Sequence, residues 1–170
     1  DTLRSRGLGD VYKRQAFVAS IVISLFDKTI ETIVALAVLM PVVVALGGKA
    51  GSQTLAVSVR ALAERELSGN TTRRAIIREA LTALINGVVF SAAVAAIAYF
   101  WFRDPVLSGV IAVAMLATFL WAGLSGIIIP LTLKRLGADP AVASSVFLLT
   151  TVDIIGFLSF LGLATVFLLP

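Results

Sequence analysis

"DPAVASSVFLLTTVDIIGFLSFLGLATVFLLP", residues 139–170, decides the fold. Past Pro140 it is apolar or hydroxylic throughout, apart from a few glycines and one ionisable side chain, Asp153. A helix rises about 1.5 Å per residue and needs roughly 20 residues to cross about 30 Å of hydrocarbon, so this stretch spans a membrane. Even a helix beginning only at Ser145 carries Asp153 about 12 Å inside it, with about 24 Å of apolar helix beyond. No basic residue lies within a helical turn or two. A charged carboxylate at that depth costs roughly 2.5–3.5 kcal/mol or more, and such residues face a cavity, a partner or an ion. The plainer alternative is a protonated acid bonded to a neighbouring helix, helped by Thr150 or Thr151.

The rest of the chain agrees with a membrane setting. Of its 170 residues 59% are hydrophobic and 14% charged, with a mean hydropathy of +1.02. A soluble domain carries about a quarter charged residues. The charges are clumped between long uncharged runs, the pattern of an all-α polytopic membrane protein. The net charge of +4 therefore marks loops rather than a nucleic-acid surface, and no nucleic-acid partner is expected. There is no cysteine and no histidine. Disulfides, thiolate or imidazole metal sites and histidine-based catalysis are excluded. A metal handled by this chain must meet oxygen ligands, which favours hard cations.

Five spans are expected. Residues 16–26 reach only about 16 Å and cannot cross, so they read as the remnant of a truncated first span. Residues 29–63 are too long for one straight crossing, and Pro41 and the Gly-rich "GGKAG" predict a broken or strongly tilted helix there. The remaining spans are 80–102, ending in an aromatic belt from Tyr99 to Phe102, then 105–137 and 139–170. Residues 65–79 read as a solvated loop with an amphipathic entry to the third span. Arg60, Arg65, Arg73, Arg74, Arg78, Lys134 and Arg135 lie in two connections, against Lys28 and Arg103 in the opposite ones. That bias predicts that the first set faces the cytoplasm and that the C-terminus is outside.

Residues 1–15, "DTLRSRGLGDVYKRQ", differ from everything after them. They are polar, and "DVYKRQ" is what GATGTGTATAAGAGACAG encodes, a string similar to the end of transposon-type sequencing adaptors. They are read as a foreign, disordered segment, with a basic juxtamembrane stretch as the alternative. The expected domain is 16–170, its true N-terminal part missing.

The second motif is "PVVVALGGKAGSQT", residues 41–54. Pro41 frees a carbonyl one turn earlier, and Gly47, Gly48 and Gly51 allow either close helix contact or unwound backbone lining a pathway. Gln53 and the intramembrane Lys49 favour the pathway. "GLSG" (123–126) invites a serine-protease reading, but Ser125 has no histidine to deprotonate it. An aspartyl protease needs two facing acids and only Asp153 is deep. No catalytic residue is assigned and the chain is not expected to be an enzyme.

On these residues the chain resembles the membrane domain of the MgtE family of magnesium transporters and channels. "MPVVVALGGKAGSQTLAVSVRALA" (40–63), "RLGADPAVASSVFLLTTVDIIGF" (135–157) and the five-span order carry the resemblance. Pro41, Gly47, Gly48, Gly51 and Gln53 match a proline followed by a Gly-Gly-Asn-x-Gly-x-Gln type motif, and Lys49 stands where many members have asparagine. Asp153 falls where the family has an acid on the ion path, and Ser145 where a polar residue precedes it. The resemblance implies a multi-pass protein of the cell inner (plasma) membrane, a homodimer with one pore on its two-fold axis that admits Mg2+. It also implies a cytoplasmic regulatory domain preceding the first span in many members. Asp153 is then the metal-binding residue, and Pro41, Gly47, Gly48, Lys49, Gly51, Gln53, Ser145, Thr150 and Gly156 are candidate pore-lining residues. Two other readings stay open: a proton-coupled carrier in which Asp153 titrates, and a non-transporting membrane subunit in which it holds helices together.

Overall fold

The structure is a computed structural model that describes residues 13, 15–64 and 70–169. It is all-helical over those residues. A short helix α1 (Gln15–Ser24) and a six-residue helix α2 (Asp27–Thr32) precede four long ones: α3 (Val34–Ala63), α4 (Asn70–Phe102), α5 (Pro105–Arg135) and α6 (Pro140–Leu168).

Where each helix starts and stops follows from local chemistry. Asp104 caps α5 by accepting from the backbone N–H groups of Val106 at 2.8 Å and Leu107 at 3.1 Å, with Pro105 at the first helical position. Asp139 and Pro140 repeat the device on α6, through Ala141 N–H at 2.9 Å. The N–H that each proline lacks would be an orphan at a helix start, so its absence costs nothing. At the end of α5, Ala138 N–H donates to Leu133 O and Gly137 N–H to Lys134 O. Gly137, at φ +77°, supplies the left-handed residue this Schellman closure needs.

Two expectations are corrected. Among the described residues four helices, not five, are long and apolar enough to cross a membrane; α1 is too short, for the reason its length already gave. The helix break predicted at Pro41 and "GGKAG" lies instead at Ile33, between α2 and α3, where φ −127° and ψ 84° leave the helical region. α3 runs unbroken through Pro41 and all three glycines. In hydrocarbon each unpaired backbone group costs several kcal/mol, so one proline interrupts fewer bonds than an unwound segment would. The entry to the third span expected within 65–79 takes up most of that stretch, with α4 beginning at Asn70.

α5 lies at the centre, packed against α3, α4 and α6. Leu36, Val43, Ile111, Ala114, Met115, Phe160, Leu161 and Ala164 form the main core, and Leu55, Ala122, Leu148 and Val152 a smaller one beside it. Small residues set the spacing. A Cβ added to Gly47 would lie 2.5 Å from Thr118 Cγ2, and one on Gly51 3.2 Å from Leu148 and 3.3 Å from Ala122. The Gly47–Gly51 pair thus seats α3 against α5 and α6 within one chain, the close packing such pairs permit. Gly123 meets Ala83 of α4, and Gly126 meets Thr54 of α3, so "GLSG" is also a packing surface.

The outer surface is apolar. Phe17, Leu25, Val34, Val57, Ile85, Val89, Phe100, Val166, Phe167 and Trp101, the last 76% exposed, point away from the core. Such a surface on a soluble domain would aggregate; against lipid chains it is the matching phase.

Candidate ion-binding site

α3 and α6 run antiparallel and in contact. Gly51 sits beside Leu148, Gly48 beside Leu149 and Gly47 beside Val152. This register brings Asp153, about 20 Å along α6, to the level of the α3 glycines. An open cleft of about 710 Å³ lies between them, lined by Pro41, Val44, Ala45, Gly48, Lys49, Ser52 and Gln53 of α3, Leu149 and Asp153 of α6, and Gln15 of α1. Two motifs separated by a hundred residues in sequence share one cleft.

Of the residues predicted from sequence, Pro41, Gly48, Lys49, Gln53 and Asp153 line it. Gly47 and Gly51 face the other way, into the packing against α5 and α6. Gly156 is buried, where an added Cβ would lie 2.9 Å from Val44 and close to Thr118. Ser145 and Thr150 are half-buried on α6 outside the cleft lining. The Thr150 hydroxyl donates to Val146 O at 2.8 Å and that of Thr151 to Leu148 O at 3.0 Å. Both are satisfied within their own helix, so neither serves Asp153.

Asp153 is half-buried. Its Oδ2 accepts a hydrogen bond of 3.2 Å from Gln15 Nε2, and no basic side chain among the described residues forms an ion pair with it. Gln15 was not foreseen as part of the site. It was the last residue of the segment set aside as foreign, and it belongs to α1; residues 1–12 and 14 lie outside the described residues. Val44, Ala45, Ser52 and Leu149 also line the cleft without having been named from the sequence. Ser52 donates to Gly48 O at 2.8 Å, within its own helix.

Among the described residues no three acids or histidines cluster to hold a metal ion. Among the described residues one chain offers the cleft a single carboxylate, the amides of Gln53 and Gln15 and the Ser52 hydroxyl. Magnesium dehydrates reluctantly and is commonly held by one or two carboxylates while keeping several waters. The donor set suits a hydrated hard cation and not a stripped one. Lys49, exposed on the same cleft, is the one cationic group among its described lining residues.

Apolar helices of crossing length around a carboxylate-bearing cleft define a polytopic integral membrane protein. Residues 40–163 match the sequence pattern of MgtE, described as a divalent cation transporter, and the chain belongs to that family. Its members are transporters, not enzymes. The chain is 37% identical over 147 residues to the magnesium transporter MgtE of Bacillus subtilis, covering 86% of this chain and 33% of that protein. It is 33% identical over 151 residues to the magnesium transporter MgtE of Thermus thermophilus, covering 89% and 33%. For the Enterococcus faecalis protein of the same name the identity is 34% over 146 residues, covering 86% and 32%. The chain spans about a third of the length of these relatives.

Proposed function

We propose that this chain is the ion-conducting part of a magnesium transporter of the cell inner membrane, working as a homodimer with Asp153 of both copies on a shared pore axis. The observation that carries the reading is the cleft joining Asp153 to the "GGKAGSQ" face of α3. The cleft is open on one side and holds one carboxylate among the described residues. A two-fold axis along that side doubles every donor without adding residues, setting two carboxylates against one divalent ion. The relatives' names supply magnesium as the cargo, and the preference of hydrated magnesium for few carboxylates agrees with it. In this reading the arginine-bearing end of α3 and α4 faces the cytoplasm, by the bias of basic residues, and the C-terminus lies outside.

The dimer is tested by crosslinking. The chain has no cysteine of its own, so single cysteines placed along 150–157 report only on that segment. Those flanking Asp153 on its exposed side are expected to trap a covalent dimer in membranes, and those at buried Val152 and Phe157 are not. A chain that stays monomeric in the membrane and still conducts magnesium contradicts the shared axis.

Lys49 gives a second expected result. Its ammonium, standing in the cleft with its charge intact, repels an approaching cation over a short distance. Its four-carbon stem allows the head to reach toward the headgroups instead. Lys49→Asn is therefore expected to preserve or raise magnesium flux into liposomes. A tenfold loss, about 1.4 kcal/mol on the barrier, would show that the lysine holds the cleft open or in register.

A further inference from the structure

Away from the Asp153 cleft, a second acid lies in the membrane-spanning bundle. Glu79 of α4 is half-buried, and its Oε1 accepts a hydrogen bond of 2.5 Å from the hydroxyl of Thr54, itself only 7% exposed, on α3. Its other oxygen accepts nothing from the described residues, yet is not sealed from solvent. It adjoins a cavity of about 150 Å³ whose polar lining is Gln53, Thr54, Glu79, Thr82 and Asn86. All five carry side-chain oxygen, and the rest of the wall is apolar.

We propose that this cavity is a second site for a hydrated divalent cation, with Glu79 as its carboxylate. The proposal rests on the transport reading above. The volume fits. A single water needs about 10–15 Å³ of such space, so 150 Å³ holds several beside Glu79, and magnesium keeps several waters when one carboxylate binds it. The charge fits as well. No basic side chain among the described residues forms an ion pair with Glu79. Arg74 and Arg78 line a second pocket that Glu79 also lines, but neither forms an ion pair with its carboxylate. A carboxylate left unpaired among membrane-spanning helices is a candidate for ion or proton handling. Thr54 fixes the orientation of Glu79 and leaves one oxygen for the ion.

The position relates the two sites. Thr54 lies six residues beyond Gly48 on α3, about 9 Å toward the arginine-bearing end. Gln53 lines both the Asp153 cleft and this cavity. A cation leaving Asp153 for that end of the bundle meets Glu79 next, with the Gln53 amide between them.

The test is an electron paramagnetic resonance titration of the detergent-solubilised chain with Mn2+, a hard octahedral stand-in for magnesium. Glu79→Gln keeps the size and the acceptor for Thr54 while removing the charge. The parent is expected to bind one Mn2+ per chain at Glu79 and one per two chains at Asp153. Glu79→Gln should remove the first class and Asp153→Asn the second. If Glu79→Gln binds as much Mn2+ as the parent, the proposal is overturned and Glu79 only anchors α4 to α3. If Asp153→Asn changes nothing while Glu79→Gln removes an ion, the second site stands and the pore reading fails. Should Glu79→Gln not fold, Asn86→Leu, which leaves the Thr54–Glu79 bond intact, is expected to weaken the one-per-chain class at least threefold; unchanged affinity overturns the proposal.

Discussion

Asp153→Asn is expected to lower magnesium flux at least about tenfold and to remove its preference over sodium or potassium, while the helices remain folded. The substitution keeps the volume of the side chain and its ability to accept from Gln15 Nε2. What it removes is charge. Two unit charges about 4 Å apart interact by roughly 4 kcal/mol at the effective dielectric of a protein surface, and a divalent ion feels twice that of a monovalent one. Water between the carboxylate and the ion reduces the figure, but each 1.36 kcal/mol retained is a factor of ten in rate. The other oxygen donors of the cleft are neutral, so Asp153 is the group there whose attraction favours Mg2+ over K+ by charge. Flux of each ion into liposomes measures the effect. An Asp153→Asn chain that conducts magnesium as selectively as the parent would reduce the acid to helix packing.

Gly123→Ala is expected to be the most damaging single-methyl change in the bundle. The added Cβ would lie 2.5 Å from Ala83 Cβ and 3.6 Å from Glu79 O. Neither neighbour can rotate aside, since a Cβ and a carbonyl are fixed by the backbone, so α4 must move away from α5. Overpacking of this kind costs about 1–3 kcal/mol, enough to lower the thermal denaturation temperature in detergent by several degrees. The displacement also pulls Glu79 from Thr54. Gly109→Ala and Gly162→Ala are the controls. Nothing lies within 4 Å of a Cβ added at either, and both sit within helices, where alanine is more favourable than glycine by about 0.5–1 kcal/mol. Equal losses at all three positions would mean that contact with Ala83 is not the cause.

The spans were legible because length and hydropathy suffice to find them, and the caps because Asp104-Pro105 and Asp139-Pro140 announce a helix start. The Asp153 cleft was legible at its two ends, as an unpaired acid and as a polar interruption of an apolar run. The direction of the glycines was not. Gly47, Gly48 and Gly51 fall in one short motif, yet only Gly48 lines the cleft, because at 3.6 residues per turn the three cannot all face the same way. Pro41 suggested a break that α3 does not make, since a local propensity yields to the cost of bare backbone in lipid. Gln15 escaped because its importance depends on a contact 138 residues away. Glu79 was hidden by its setting in the charged run 65–79. One signal could have shown it: Glu79, Ala83, Gly87 and Ser91 recur every fourth residue. Three small residues on one line mark the packed face of α4, and the acid stands at its end.

Uptake of Mg2+ by the purified parent chain in liposomes, followed with a magnesium-sensitive dye inside and a pH dye alongside at symmetric pH, tests the central claim most directly. Saturable magnesium entry with no accompanying proton movement is the predicted result. Entry only with proton movement would make Asp153 a titrating carrier residue, and no entry at all would leave the cleft without a conducting role; either contradicts the account.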